Sequence, residues 1–262
     1  MNTLITRLLI AVGLCTTAAC SRSIDVANHD GGGLVEAIRA ANADPGPQTI
    51  RLARRGLYVL DRAAEPGLML PRIRDDLVIE GDGAEIRAYT GERLALVEVG
   101  PGATLSLERL SLAEGSDGAV RNYGQLALDQ VRITDNTGDR SSAIVLNHGD
   151  LVARDSEIAY NALEPVRRDA GILLNYGQAE LERCTIHDNR AAGRNPSLAV
   201  AAGVLNFGSL RVDGLALADN AADSAGGRFQ FGGILNIGNG KVRGEVGQGM
   251  VRRADLLATL SP

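Results

Sequence analysis

Apolar and polar residues alternate along most of this chain in short bursts, and the bursts recur. Leu126, Leu128, Val131 and Ile133 form one set. Leu210, Val212, Leu215 and Leu217 form another at the same internal offsets. Two further sets keep the offsets but carry Ala153 and Ser156, or Ala179 and Cys184, at the matching places. Residues 105–112 fit the same frame. A period of two predicts strands that bury one face. Residues 34–42 are the exception, because Leu34, Ile38 and Ala41 share one side of a helix and Asp44-Pro45-Gly46 stops it. Between helix and repeats, short strands are expected at 49–52, 58–60 and 77–79.

Asparagine punctuates the bursts. Asn122, Asn147, Asn175, Asn206 and Asn236 are each followed by one variable residue and a glycine. A second series, Asn136, Asn161, Asn189 and Asn220, stands 14 residues after the first four. Successive repeats are 25, 28, 31 and 30 residues apart, so all the variation falls after the second asparagine. A unit this short cannot bury its own apolar face, and must stack on copies of itself. Stacked coils of parallel strands make a β-solenoid. Asparagine suits its bends because it tolerates left-handed backbone. Its amide can also donate to one coil and accept from the next, as a ladder.

The repeats resemble those of right-handed parallel β-helix proteins of the pectate-lyase-like superfamily. They are also similar to polymorphic outer-membrane-protein repeats, which pair a GGA-type with an FxxN-type motif. The matching segments are GAV at 118–120, AGIL at 170–173, AGVL at 202–205 and GGIL at 232–235, paired with ITDN, IAYN, IHDN and LADN. Ile or Leu replaces the Phe of the family motif. The resemblance implies an all-β, right-handed parallel β-helix with a short N-terminal capping helix. The expected organisation is a signal peptide over 1–20 and one domain over 21–262. That domain has a helix cap at about 33–43, coils at about 48–246 and a helical C-terminal cap at about 249–260. His29-Asp30 reads as linker. No length is left for a membrane barrel of the family kind.

Composition narrows the partners. The chain has 262 residues, a net charge of −5 and 23% charged residues. That balance disfavours nucleic acid. With 3% aromatics and no Trp, the core must rest on aliphatic residues. Three cysteines exclude a disulfide-rich miniature fold. Arg7, the apolar run 8–14 and small residues up to Cys20 read as a secretory signal. Cys20 after Ala18-Ala19 resembles a bacterial lipobox, with Thr17 where the family has Leu. The resemblance implies acylation of Cys20 and attachment to the outer membrane through a lipid anchor.

Candidate chemistry gathers on one edge. The residue before the second asparagine is Asp135, Tyr160, Asp188 or Asp219. Asp188 and Asp219 belong to adjacent coils, ~4.8 Å apart, and could share a proton or a calcium ion. Loops 137–142, 162–170, 190–201 and 221–231 leave from the same edge and bring Arg140 and Arg190 with them. Loops on one rim of a rigid scaffold commonly carry binding. The bland alternative makes these residues solvated turns. His187 reads as a lone surface histidine, Cys184 as a small buried residue, and Tyr123, His148, Tyr176 and Phe207 as a mutually stacked column. No zinc spacing, P-loop, dinucleotide fingerprint or nucleophile elbow occurs. The hydrolase signature of the fold family is also missing.

The expectation is therefore a cell-envelope protein, with no cofactor and no resident metal. It would act as a non-enzymatic binding or adhesion module for a polysaccharide or envelope protein through Asp135, Asp188, Asp219, Arg140 and Arg190. The alternative is a polysaccharide lyase or glycoside hydrolase acting on an acidic polysaccharide.

Overall fold

A computed structural model describes residues 22–138, 143–166, 169–193, 198–224, 230–237, 241–248 and 251–254. The chain is a right-handed parallel β-helix with one short helix near its start. One coil shows the plan. Strand Ala143–Asn147 runs into the NHG turn, and strand Asp150–Arg154 follows. The chain bends at Asp155 and continues as Glu157–Ala159. It bends again at Tyr160, and Ala162–Val166 forms the last side. Stacking in parallel is in register: Leu126, Leu151, Ala179 and Leu210 lie above one another, as do Ile133, Ile158, Ile186 and Leu217. These inward residues are buried and fill the coil. Each large aliphatic contributes ~1.5–3 kcal/mol by leaving water, so the fill needs no rings.

The asparagine ladders form as expected. Nδ2 of Asn122, Asn147, Asn175 and Asn206 each donates to Oδ1 of the next asparagine at 2.7 Å. In the second series Asn136, Asn161 and Asn189 donate likewise at 3.0, 3.0 and 2.9 Å. The same amides also donate to strand-end carbonyls, such as Thr134 O and Leu112 O for Asn136. The ladders therefore satisfy backbone groups that a bend would strand without partners. One detail differs from expectation. The left-handed residue is the one before the second asparagine: Asp135, Tyr160, Asp188 and Asp219 have φ of 58°, 58°, 51° and 52°. The asparagine is free of that strain and acts as the clamp.

The helix spans Gly31–Ala43 and buries Leu34, Ala37, Ile38 and Ala41. Asp30 is its N-cap, accepting from Gly33 N at 2.6 Å, so His29-Asp30 is a structured entry and not a linker. Strand Arg22–Val26, absent from the sequence reading, pairs with Gln48–Leu52 beneath it. The rim expected to be loops begins as structure. Thr137–Gly138, Ala162–Val166, Arg190–Gly193 and Ala221–Ser224 pair as a four-stranded parallel sheet. The asparagine before each segment pins its start, so pairing persists until the inserted lengths diverge. Val251–Ala254 is a strand paired with Ile234–Ile237, where a helix was expected. The rest of 249–260, the leader 1–20 with Cys20, and Arg140 lie outside the described residues. Among the described residues no helix is long and apolar enough to cross a membrane.

Candidate active site

The short strands after the first bend present outward residues in columns. Arg132, Glu157, Thr185 and Ala216 occupy one column, and Thr134, Ala159, His187 and Ala218 the next. The following residue in each coil is the second bend, at Asp135, Tyr160, Asp188 and Asp219. With rungs ~4.8 Å apart, a side chain one rung over and two places along is within reach.

His187 uses that reach toward Glu157 and meets its own sequence neighbour Asp188 on the other side. Its Nε2 lies 2.8 Å from Glu157 Oε1 and its Nδ1 2.7 Å from Asp188 Oδ2. Glu157 Oε2 forms an ion pair with Arg132, with Nε at 2.8 Å. The Tyr160 ring meets the imidazole edge-on, with centroids 5.5 Å apart and planes at 84°. Tyr160 is 54% exposed, so its other surfaces face solvent. An ionised carboxylate only accepts, so only the imidazolium can satisfy both neighbours at once. The hydrogen bond to Asp188, and after it that to Glu157, hold the His187 pKa above the ordinary imidazole value, against the opposing effect of partial burial.

The sequence-predicted residues are only partly brought together. Asp188 enters this cluster. Asp135 and Asp219 occupy the same bend column, exposed, with the Tyr160 rung between Asp135 and Asp188. Arg190 opens the four-stranded sheet, exposed and two residues past Asp188. Among the described residues no group of three or more His, Cys, Asp or Glu side chains could hold a metal ion. His187 is not the lone surface histidine expected. Tyr160 was named only as a member of the bend column, and Glu157 and Arg132 were missed, although column arithmetic could have found them. Glu157 stands four residues before its asparagine and His187 two before its own, one coil later.

Beside the cluster lies an open cleft of about 310 Å³ along the first bend. Arg54, Arg55, Arg109 and Arg132 line it together with Asp82 and Gly83. Arg132 thus belongs to both cleft and cluster. Elsewhere the surface is quieter. Tyr123, His148, Tyr176 and Phe207 stack with centroids 5.3, 4.8 and 5.0 Å apart, so their faces are spent on one another. Cys184 is buried, and burial raises its thiol pKa.

No family model matches the chain, and no curated protein matches it. Among solved structures, the A-module of the mannuronan C-5 epimerase AlgE6 of Azotobacter vinelandii matches over 88% of this chain and 92% of that one, at 15% identity and a TM-score of 0.31. At that identity and score the match transfers no residue role. The solved structure it resembles is, by its name, a module of an epimerase, in place of the non-enzymatic binding or adhesion module that was expected.

Proposed function

We propose that this protein is an enzyme acting on an acidic polysaccharide by acid–base chemistry of the lyase kind. The observation that supports it is His187 held between Glu157 and Asp188 beside an exposed Tyr160. Elimination from a uronate needs a base for the proton next to the carboxylate and an acid for the departing oxygen. Asp188 is the more exposed of the two carboxylates, at 43% against 26% for Glu157, and its Oδ1 has no hydrogen bond to His187. It serves as the base and takes the C5 proton. The C–H electron pair becomes the C4–C5 double bond, the C4–O4 bond breaks, and O4 takes a proton from the His187 imidazolium. Asp188 and Glu157 keep His187 charged, and Arg132 holds Glu157 in place. Because acid and base adjoin each other, both proton transfers occur from one side of the sugar. Tyr160 offers its ring to the sugar, and Asp135, Asp219 and Arg190 contact neighbouring units.

Incubation with uronate polymers tests this by ultraviolet absorbance of the unsaturated product. His187→Gln should lose at least ~100-fold in kcat, the usual scale of general acid catalysis. Saturated products alone, or full activity in His187→Gln, would refute the elimination. For location, the apolar run at 8–14 and Cys20 behind Ala18-Ala19 support export to the bacterial envelope and lipid anchoring. Fatty-acid labelling that survives Cys20→Ser would refute the anchor.

A further inference from the structure

We infer that the arginine cleft along the first bend is a binding site for the anionic groups of a glycan, carboxylate or sulfate, lying beside the His187 cluster along the axis of the β-helix. This rests on the proposed enzymatic reading only for the sugar backbone of the ligand.

Position carries the first part of the argument. The chain as a whole is acidic, at −5, yet its cleft of about 310 Å³ has four arginines and one carboxylate among the lining residues. The arginines come from different coils. Arg54 and Arg55 follow strand Gln48–Leu52, Arg109 interrupts Thr104–Ala113, and Arg132 opens Arg132–Thr134. The stacking turns residues far apart in sequence into one row parallel to the axis. The rung between Arg55 and Arg109 carries Asp82 and Gly83, so an extended polymer laid in that row would meet arginines on three of four rungs.

The state of the side chains carries the second part. Elsewhere on this sheet arginines are consumed by the neighbouring rung. Arg183 makes two hydrogen bonds of 2.7 Å to Asp155, and Arg154 meets Glu182 at 2.8 Å. In the cleft, Arg54 meets Asp82 only at 3.8 Å. Arg55 makes no ion pair among the described residues. Arg109 bonds Glu108 through Nη1, and Arg132 bonds Glu157 through Nε. A guanidinium has five N–H donors in a planar fork that matches carboxylate and sulfate oxygens. Most of these donors are therefore uncommitted. Gly83 lines the floor at φ 85°, a left-handed conformation that favours glycine, so no side chain rises there.

Continuity carries the third part. Arg132 connects the cleft to Glu157, and Glu157 connects to His187. From the Arg132 rung to the His187 rung is two steps, about 10 Å. A chain anchored by its anions in the cleft would thus extend a further unit across the imidazole.

The test uses the full chain carrying His187→Gln, so that turnover cannot deplete the ligand. Binding of hexagalacturonate, a sulfated dextran oligomer and uncharged maltohexaose is followed by calorimetry at two salt concentrations. The expected result is salt-sensitive binding of one or both anionic probes and none of the neutral one. The probe that binds identifies the anion. Arg55→Gln with Arg109→Gln should weaken binding by at least about tenfold, since each removes a charge-assisted hydrogen bond. Glutamine is chosen because Gln130 already occupies the equivalent bend in the next coil, at φ 53°. Arg62→Ala makes the same change of charge per site away from the cleft and should shift Kd less than twofold. Equal binding of the neutral probe, no binding of either anion, or unchanged affinity in the double variant with its melting temperature retained would each overturn the assignment. Binding without turnover in the unmodified chain would leave the cleft standing and remove the catalytic reading. Turnover without any cleft dependence would do the reverse.

Discussion

Replacing Asn175 with alanine removes one rung from the middle of a buried ladder. Its Nδ2 donates to Asn206 Oδ1 at 2.7 Å, to Ser209 O at 3.1 Å and to Gly177 O at 3.3 Å, and its Oδ1 accepts from Asn147 at 2.7 Å. Asn147 would retain Gly149 O and Gln178 O as acceptors for the same amide. Asn206 Oδ1 would lose this donor and sits in a residue with no exposed surface. A buried acceptor left without its partner costs ~1–3 kcal/mol, and each lost net hydrogen bond ~0.5–1.5 kcal/mol. One orphaned amide oxygen and two weakened carbonyls place the loss at about 3–4 kcal/mol. Urea denaturation followed by circular dichroism measures it, with the exposed neighbour Gln178→Ala as reference, expected within ~0.5 kcal/mol. Stacked repeats interact mainly with their neighbours, so hydrogen exchange should rise first in the coils carrying Asn147 and Asn206. A loss below ~1 kcal/mol, or one equal to that of Gln178→Ala, would show that the amides fill space and do not hold the bends.

Three further outcomes follow from the same geometry. The raised pKa of His187 means that its contribution to stability is fully present below the unfolded imidazole value of ~6.5 and is lost as pH rises through the higher folded value. An NMR titration should therefore place the His187 midpoint above that value, and Glu157→Gln should lower it. Gly177→Ala should cost at least about 3 kcal/mol, because its Cβ would come within 2.1 Å of Gly149 O, a backbone atom that cannot swing aside. Gly91→Ala, with nothing within 4 Å, should leave the melting temperature in place. The Cys184 thiol should resist iodoacetamide in the folded protein and react on unfolding, as its burial and raised pKa require; rapid labelling of the native chain would contradict the inward frame.

The repeat made the fold legible because in a solenoid a fixed offset in sequence is a fixed neighbour in space. Asn122 with Asn147, or Ile133 with Ile158, needed only counting. The site was less legible for a related reason. Its contacts run diagonally, from Glu157 in one coil to His187 two places further along in the next. Comparing equivalent positions aligns Glu157 with Thr185 and His187 with Ala159, and so hides the pair. Asp188 was visible as a bend residue, but its role depends on turning toward its own neighbour in sequence. The arginine cleft escaped notice because Arg54 and Arg55 precede the regular repeats and belong to no column that the asparagines mark. Strand Arg22–Val26 escaped for lack of any internal copy to compare with.

The fixed 14-residue span between the paired asparagines sets where this molecule can change in length. One extra residue between Asn147 and Asn161 would move Leu151 or Ile158 to the wet side of the wall and break two columns at once. The same residue added beyond Ser224 or Gly193 enters a segment with no fixed count. The protein therefore separates a gauge that tolerates no slippage from a margin that can be rewritten at will. New contacts can be tried on that margin while the wall bearing His187 keeps its alignment.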